Sequence, residues 1–382
     1  MAEAIASERN TERFRYIDVY KGLAILGVIV THLVLMQNGT NGSGVSPWVQ
    51  FLFSGLIMFM VISGLFYRPG RGYVENVRRR VLPLIVIYVL SGVVLTVLLY
   101  LYLLALGYDL SQYSLLAELG DAVIGKGCFL DVNSPEFIDI MDHGALFSTS
   151  TALYYLIILS GGYLIFYAIA ERALKDWRVA VLSILVLLAV ESVYIALVHI
   201  QLPFYIHLYP MVAAFLLLGA LLGKHHFVEF LENGLRNRRY WITLTVLIVI
   251  AAVCLMAFPA ATNLRRLNIG DYGLFTGFTF ALTTLSCGFV QMYIVVILSK
   301  IPGLSHVFAL MGANILYLFL LHIAVAKVLV APFVQLVDTY EIPLEFLPAI
   351  GVTLATIAII LVMAHIYRRI CPRSLPKRPT CG

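Results

Sequence analysis

The run from Arg15 to Leu35, RYIDVYKGLAILGVIVTHLVL, leaves this chain few ways to fold. An apolar helix of about twenty residues rises ~1.5 Å per residue and so covers the ~30 Å hydrocarbon layer of a bilayer. No water inside that layer can satisfy the backbone, which must close its own hydrogen bonds as a helix. Yet this run carries Asp18, Lys21 and His32. At roughly 100° per residue, the eleven steps from Lys21 to His32 return to within about 20° of one helical face. Asp18 precedes Lys21 by three residues and can reach it from the same side. The span has a polar stripe, aimed at other helices or at a water-filled cavity.

Two readings fit Lys21: its amine snorkels to the inner interface, or it serves a function. His32 stands seventeen residues into the span, and there a functional role is the better reading. Neutral imidazole is a natural general base near pH 7.

Of the 382 residues, 61% are hydrophobic and only 12% charged, where a soluble domain carries about 25% charged. The chain is therefore expected to be an all-α polytopic membrane bundle. The first apolar run is too long for a signal-peptide core and lacks a small-residue cleavage site, so it should persist as an anchor. A single membrane-embedded domain is expected over 16–367. It is flanked by a cytoplasmic segment, 1–15, and a basic cytoplasmic tail, 368–382. The five cysteines have no metal-type spacing and support no disulfide framework. No internal repeat, Walker A loop, Rossmann glycine pattern or Cys/His cluster is present, which argues against an ATP-driven pump and a metalloenzyme. The lipid bilayer is an expected partner; nucleic acid is not.

About ten transmembrane helices are expected, at 16–36, 47–67, 81–106, 151–170, 179–199, 205–223, 240–258, 272–298, 308–330 and 346–367. The eighth is long for one crossing and holds Gly277 and Gly288, so a bend or tilt is expected there. With the N-terminus inside, the inner segments hold 22 of the 26 Lys and Arg. That asymmetry predicts both termini to be cytoplasmic.

The outer segment 107–150 is acidic, with seven carboxylates against Lys126. A solvated face explains it; an outer acceptor site, with Asp142 and His143 as candidates, is the functional alternative. The loop YRPGRGYVENVRRRVLPL carries Arg68, Arg71, Arg78, Arg79 and Arg80. Inner-loop charge alone accounts for such residues. Three successive arginines opening a helix would also make an anion seat, strengthened by the helix dipole. Within the ninth span, Tyr317, His322 and Lys327 recur at intervals of five. Glu191, His199 and His207 lie in or near the fifth and sixth spans. Each is a functional candidate or a buried group satisfied by a neighbour.

The stretch RYIDVYKGLAILGVIVTH resembles the first helix of the acyltransferase-3 family of integral membrane O-acyltransferases. That family has Arg or Lys, ten residues, then His, and Lys21 and His32 fit the lysine form. MFMVISGLFYRPGRGYVENVRRRVLPLIVIY resembles the family's second and third spans. ALYYLIIL at 152–159 is similar to a family element but has Tyr154-Tyr155 where Trp-Phe is usual. GANILYLFLLHIAV is similar to a late family helix, with Asn314 where Ser is common.

The resemblance implies transfer of an acyl group, most often acetyl, from cytoplasmic acyl-CoA to a hydroxyl of a cell-envelope glycan or glycolipid. It implies a multi-pass protein of the bacterial inner membrane, with acyl-CoA as donor substrate and no permanently bound cofactor. In that reading His32 is the general base or a transiently acylated nucleophile, and Lys21, balanced by Asp18, steers the donor or stabilises negative charge. Arg71, Arg78, Arg79 and Arg80 receive the CoA phosphates. His322, Tyr317 and His143 position the acceptor. The alternative is a secondary transporter or flippase for an envelope precursor, which a basic inner face and charged spans would also serve.

Overall fold

The structure, a computed structural model, describes residues 16–32, 47–105, 107, 114–125, 150–198, 200–258, 273–339 and 346–370. His143, His199, the segment 126–149 and the tail from 371 lie outside them, as does the side chain of Lys327. Among the described residues the regular elements are all helical.

Helix α1 covers 16–32 and α2 Pro47–Leu65. Helix α3 runs unbroken over Tyr73–Ala105, with a π turn at Val77–Val81. A short amphipathic helix, α4, follows at Leu115–Ile124. Next come α5 (Ser150–Ala173), α6 (Trp177–Val198) and, after a 3-10 turn at Pro203–Leu208, α7 (Tyr209–Lys224). The chain continues through α8 (Phe227–Asn233), α9 (Arg238–Ala257), α10 (Thr276–Leu298), α11 (Pro302–Ala313), α12 (Ile315–Thr339) and α13 (Phe346–Ile370). Seven helices of the described residues are long and apolar enough to cross a membrane, or eight if α11 and α12 are counted as one broken span.

Two boundaries differ from the sequence reading. The span expected at 308–330 is not one rod, because α11 and α12 meet at an angle of 82°. Pro302 stands at the start of α11, and Asn314 ends it with φ −109° and ψ 16°, outside helical geometry. The third helix begins at Tyr73 rather than at 81, so Arg78, Arg79 and Arg80 lie past its first turn. The helix-dipole part of the anion-seat argument falls with that, since the effect fades beyond the first turn. In α10, Gly273–Phe275 forms a 3-10 turn ahead of a continuous helix, and Gly277 and Gly288 are sites of close packing against Ser192 and Met58.

Helix α7 is the hub, packing on α2, α5 and α6. Met211 through Leu217 are at most 1% exposed. By contrast α6 turns Leu182, Val186, Val193 and Leu197 outward, and α9 does the same with Trp241, Val249, Val253 and Met256. Apolar faces of that kind suit acyl chains.

Small residues set the spacing of the central helices. A Cβ built on Gly64 would lie 2.0 Å from the Leu216 carbonyl oxygen, and one on Gly219 would lie 1.9 Å from the Val61 carbonyl oxygen. The two glycines face each other across α2 and α7, so the backbones approach as closely as the chain allows. Association within lipid depends on this kind of contact, because burying apolar side chains gives no net gain there.

Candidate functional site

Helix α1 is seated in the bundle by glycines and one amide. A Cβ on Gly22 would meet the Phe308 carbonyl oxygen at 2.0 Å, and one on Gly312 the Asp18 carbonyl oxygen at 1.9 Å, so α11 crosses α1 backbone to backbone. Gly27 abuts the Leu52 carbonyl oxygen, 2.7 Å from a built Cβ, so α1 also packs closely on α2. The Tyr20 hydroxyl donates to Gln291 Oε1 at 3.4 Å, and Gln291 Nε2 donates to Ser54 Oγ at 3.2 Å and to the Phe51 carbonyl. One buried amide from α10 thereby ties α1 to α2. Gln291 was not singled out in the sequence; a lone amide inside LSCGFVQMY was the available signal.

The stripe on α1 separates into two places. Lys21 Nζ pairs with Asp18 Oδ1 at 3.1 Å, and both side chains are about a third exposed, at 31% and 35%. Eleven residues further on, ~16 Å along the axis, His32 meets His322 of α12, their ring centroids 5.4 Å apart. At its two ends the stripe thus has different partners, Asp18 for Lys21 and His322 for His32.

His322 is 1% exposed. Its Nδ1 lies 2.8 Å from the Phe319 carbonyl oxygen and 3.1 Å from that of Leu318, both in its own helix. Carbonyl oxygens only accept, so Nδ1 carries the proton and Nε2 presents its lone pair. Nε2 is buried and has no hydrogen-bond partner. The imidazole is thus held in the tautomer that can take a proton, with the basic nitrogen left open.

Tyr155 of α5 is connected to this pair through Phe319. Its ring meets Phe319 edge-on at 5.6 Å, and Phe319 lies 6.1 Å from His322. Tyr317, in contrast, is turned toward α13, where it packs on Tyr367 at 6.1 Å. Arg368 of α13 reaches back to the bend between α11 and α12 and donates to Asn314 Oδ1, while Asn314 Nδ2 donates to the Leu310 carbonyl at 2.7 Å. In the sequence Arg368 read only as part of a basic tail.

At the end of the bundle where α1 begins, Arg68, Arg71, Arg78, Arg79 and Arg80 are exposed. Arg79 is engaged by Glu75 at 2.9 Å. Arg80 lies within electrostatic reach of Tyr163 and Tyr167, as Arg71 does of Tyr167. Tyr163 and Tyr167 stack at 5.2 Å, and Tyr67 closes on Phe166 at 5.0 Å. This aromatic cluster lies near Arg71 and Arg80. Glu191 belongs elsewhere: on α6 it is 0% exposed, and neither carboxyl oxygen has a hydrogen-bond partner.

A family model described as an acyltransferase domain matches residues 14–368, almost the whole chain. The chain belongs to the acyltransferase-3 family. No curated protein and no solved structure matches it. As a member of that family it is a multi-pass membrane acyltransferase. Both halves of the histidine pair, the Lys21–Asp18 ion pair and the arginine-bearing end all fall within the matched segment.

Proposed function

We propose that this acyltransferase moves an acyl group, with acetyl the first to be tried, from cytoplasmic acyl-CoA to a hydroxyl of a cell-envelope glycan or glycolipid at the outer side. The carrying observation is the His32–His322 pair, in which one imidazole offers a buried, unpartnered basic nitrogen. A group so placed can take the proton of an attacking hydroxyl, which is the step that hydroxyl acylation needs. Acyl transfer through His32 as a covalent intermediate fits the same placement.

The rest of the reading follows from distance and charge. Ten crossings, both termini cytoplasmic in a bacterial inner membrane, would bring the arginine-bearing end to the cytoplasm. CoA is anionic there through its diphosphate and 3′-phosphate, for which guanidinium forks near an aromatic cluster are a suitable seat. The acyl-bearing arm then has to rise past Lys21, whose charge Asp18 balances, toward His32. The acceptor hydroxyl approaches from the opposite side.

Thiol release from acetyl-CoA by the purified protein, with and without an extract of its own cell envelope, tests this. Release that depends on the extract is the expected result. Absence of release, together with absence of CoA binding, would favour a transporter. A second expectation concerns the basic end. Arg80→Ala should raise the KM for acetyl-CoA by about tenfold with kcat nearly unchanged, the size of one charge-assisted phosphate contact. Arg79→Ala, already engaged by Glu75, should change it less.

A further inference from the structure

We infer that the Tyr155 hydroxyl is a catalytic hydrogen-bond donor to the acyl carbonyl oxygen of the donor thioester. The inference rests on the acyl-transfer reading above and adds a residue to it.

Other large buried tyrosines show what Tyr155 lacks. Tyr20 donates to Gln291, Tyr88 to the Val123 carbonyl at 3.1 Å and Tyr240 to the Tyr293 carbonyl at 2.6 Å. Tyr155 is also buried, at 5% exposure, yet its hydroxyl oxygen has no hydrogen-bond partner. Buried phenols are retained where something satisfies them, since an unmade hydrogen bond is costly and phenylalanine, usual at this position in the resembled family element, would fill the same space; the hydroxyl is this chain's own addition.

The position indicates what that partner is. The ring rests on Phe319, one turn before His322 on α12, so Tyr155 and the unpartnered His322 Nε2 share one region. The hydroxyl is also within electrostatic reach of Tyr163 and Tyr20, the residues that lead back to Arg80 and Lys21. Tyr155 is therefore linked to the histidine pair through Phe319 and to the basic end through Tyr163. A thioester carried toward His32 from that end would pass it.

The chemistry balances without further groups. The acceptor oxygen attacks the acyl carbon while its proton passes to the imidazole. The carbonyl π pair moves onto oxygen, where the Tyr155 O–H donates to it. Collapse reforms the carbonyl, breaks the carbon–sulfur bond and releases CoA thiolate, which takes the proton from the imidazolium. Tyr155 keeps its own proton throughout. A donor aimed at an oxyanion acts on the transition state more than on bound substrate, so its loss lowers kcat rather than raising KM.

Tyr155→Phe in the full-length purified protein tests the assignment, with wild type and His32→Ala alongside. The expected result is a kcat for thiol release lowered by about 10²–10³-fold, the usual effect of removing one such donor. KM for acetyl-CoA should stay within about twofold, and Tm should be unchanged or higher because a buried unpartnered hydroxyl has gone. Wild-type kcat in Tyr155→Phe overturns the inference, as does a fall in kcat matched by a fall in Tm. If wild type itself releases no thiol, the acyl-transfer reading fails and this inference fails with it.

Discussion

Purified His32→Ala is expected to lose thiol release from acetyl-CoA by about 10²–10⁴-fold, the range of positioned acid–base catalysis, because it breaks the His32–His322 pair that carries the proton. The loss should appear with little change in folding. His32 is only partly buried, and α1 is held by Gly22, Gly27, Gly312 and the Tyr20–Gln291–Ser54 chain, none of which the substitution touches. His322→Ala is a less clean variant, because it empties the volume of a ring that is 1% exposed. His322→Gln keeps a polar group of similar reach but supplies no imidazole. It should therefore fall with His32→Ala if the pair works as a unit, and the double variant should then be little worse than either. Labelled acetyl-CoA given without acceptor separates the two chemistries that a histidine allows. Label retained on His32 means an acyl-imidazole intermediate; unlabelled, active protein means direct transfer. Normal turnover by folded His32→Ala would sink the assignment.

The largest loss of stability is expected at the α2–α7 crossing. Gly219→Ala puts a methyl carbon 1.9 Å from the Val61 carbonyl oxygen, and Gly64→Ala puts one 2.0 Å from that of Leu216. Neither oxygen belongs to a side chain that could swing aside, so the helices have to separate. Overpacking of this kind costs about 1–3 kcal/mol, and more where backbone has to move. Gly219→Val should be worse than Gly219→Ala. The control is Gly303→Ala in α11, where a Cβ meets nothing within 4 Å. That change should be neutral or slightly stabilising, because alanine favours helix by up to ~1 kcal/mol over glycine. Thermal unfolding of the four variants in one detergent would rank them; equal Tm values for Gly219→Ala and Gly303→Ala would refute the close-contact account.

Much of this architecture was legible because lipid imposes a simple rule on sequence. Long apolar runs have to be helices, and a charged side chain inside one has to face protein or water. The stripe of Asp18, Lys21 and His32 followed from helical spacing alone, and the 3.1 Å ion pair matches its Asp18–Lys21 portion. His322 was visible as an ionisable group in a span, but its meeting with His32 was not. That contact depends on how α1 and α12 pack, and nothing local to either helix encodes it. Tyr155 was harder still, since tyrosine is common in membrane proteins for interfacial reasons and only its surroundings set it apart. The bend at Asn314 was missed because one small polar residue between two apolar runs looks like an ordinary helical position. The start of α3 was misplaced for the opposite reason. Its first turn, YVEN, is too polar to read as part of a span, yet it continues into one.

The π turn at Val77–Val81 gives that third helix a property that a plain α-helix lacks. The Leu82 N–H donates to the Val77 carbonyl, five residues back instead of four, so one more residue is accommodated in the turn. Each residue is worth about 100° of rotation. The three arginines and the lipid-facing surface that begins at Leu82 are therefore phased independently, like two dials on one shaft. Deleting a single residue from the turn would swing the guanidinium groups about a quarter of the way round the helix axis while leaving Leu82–Ala105 seated as before. The direction in which this protein presents its positive charge is thus set by one surplus residue.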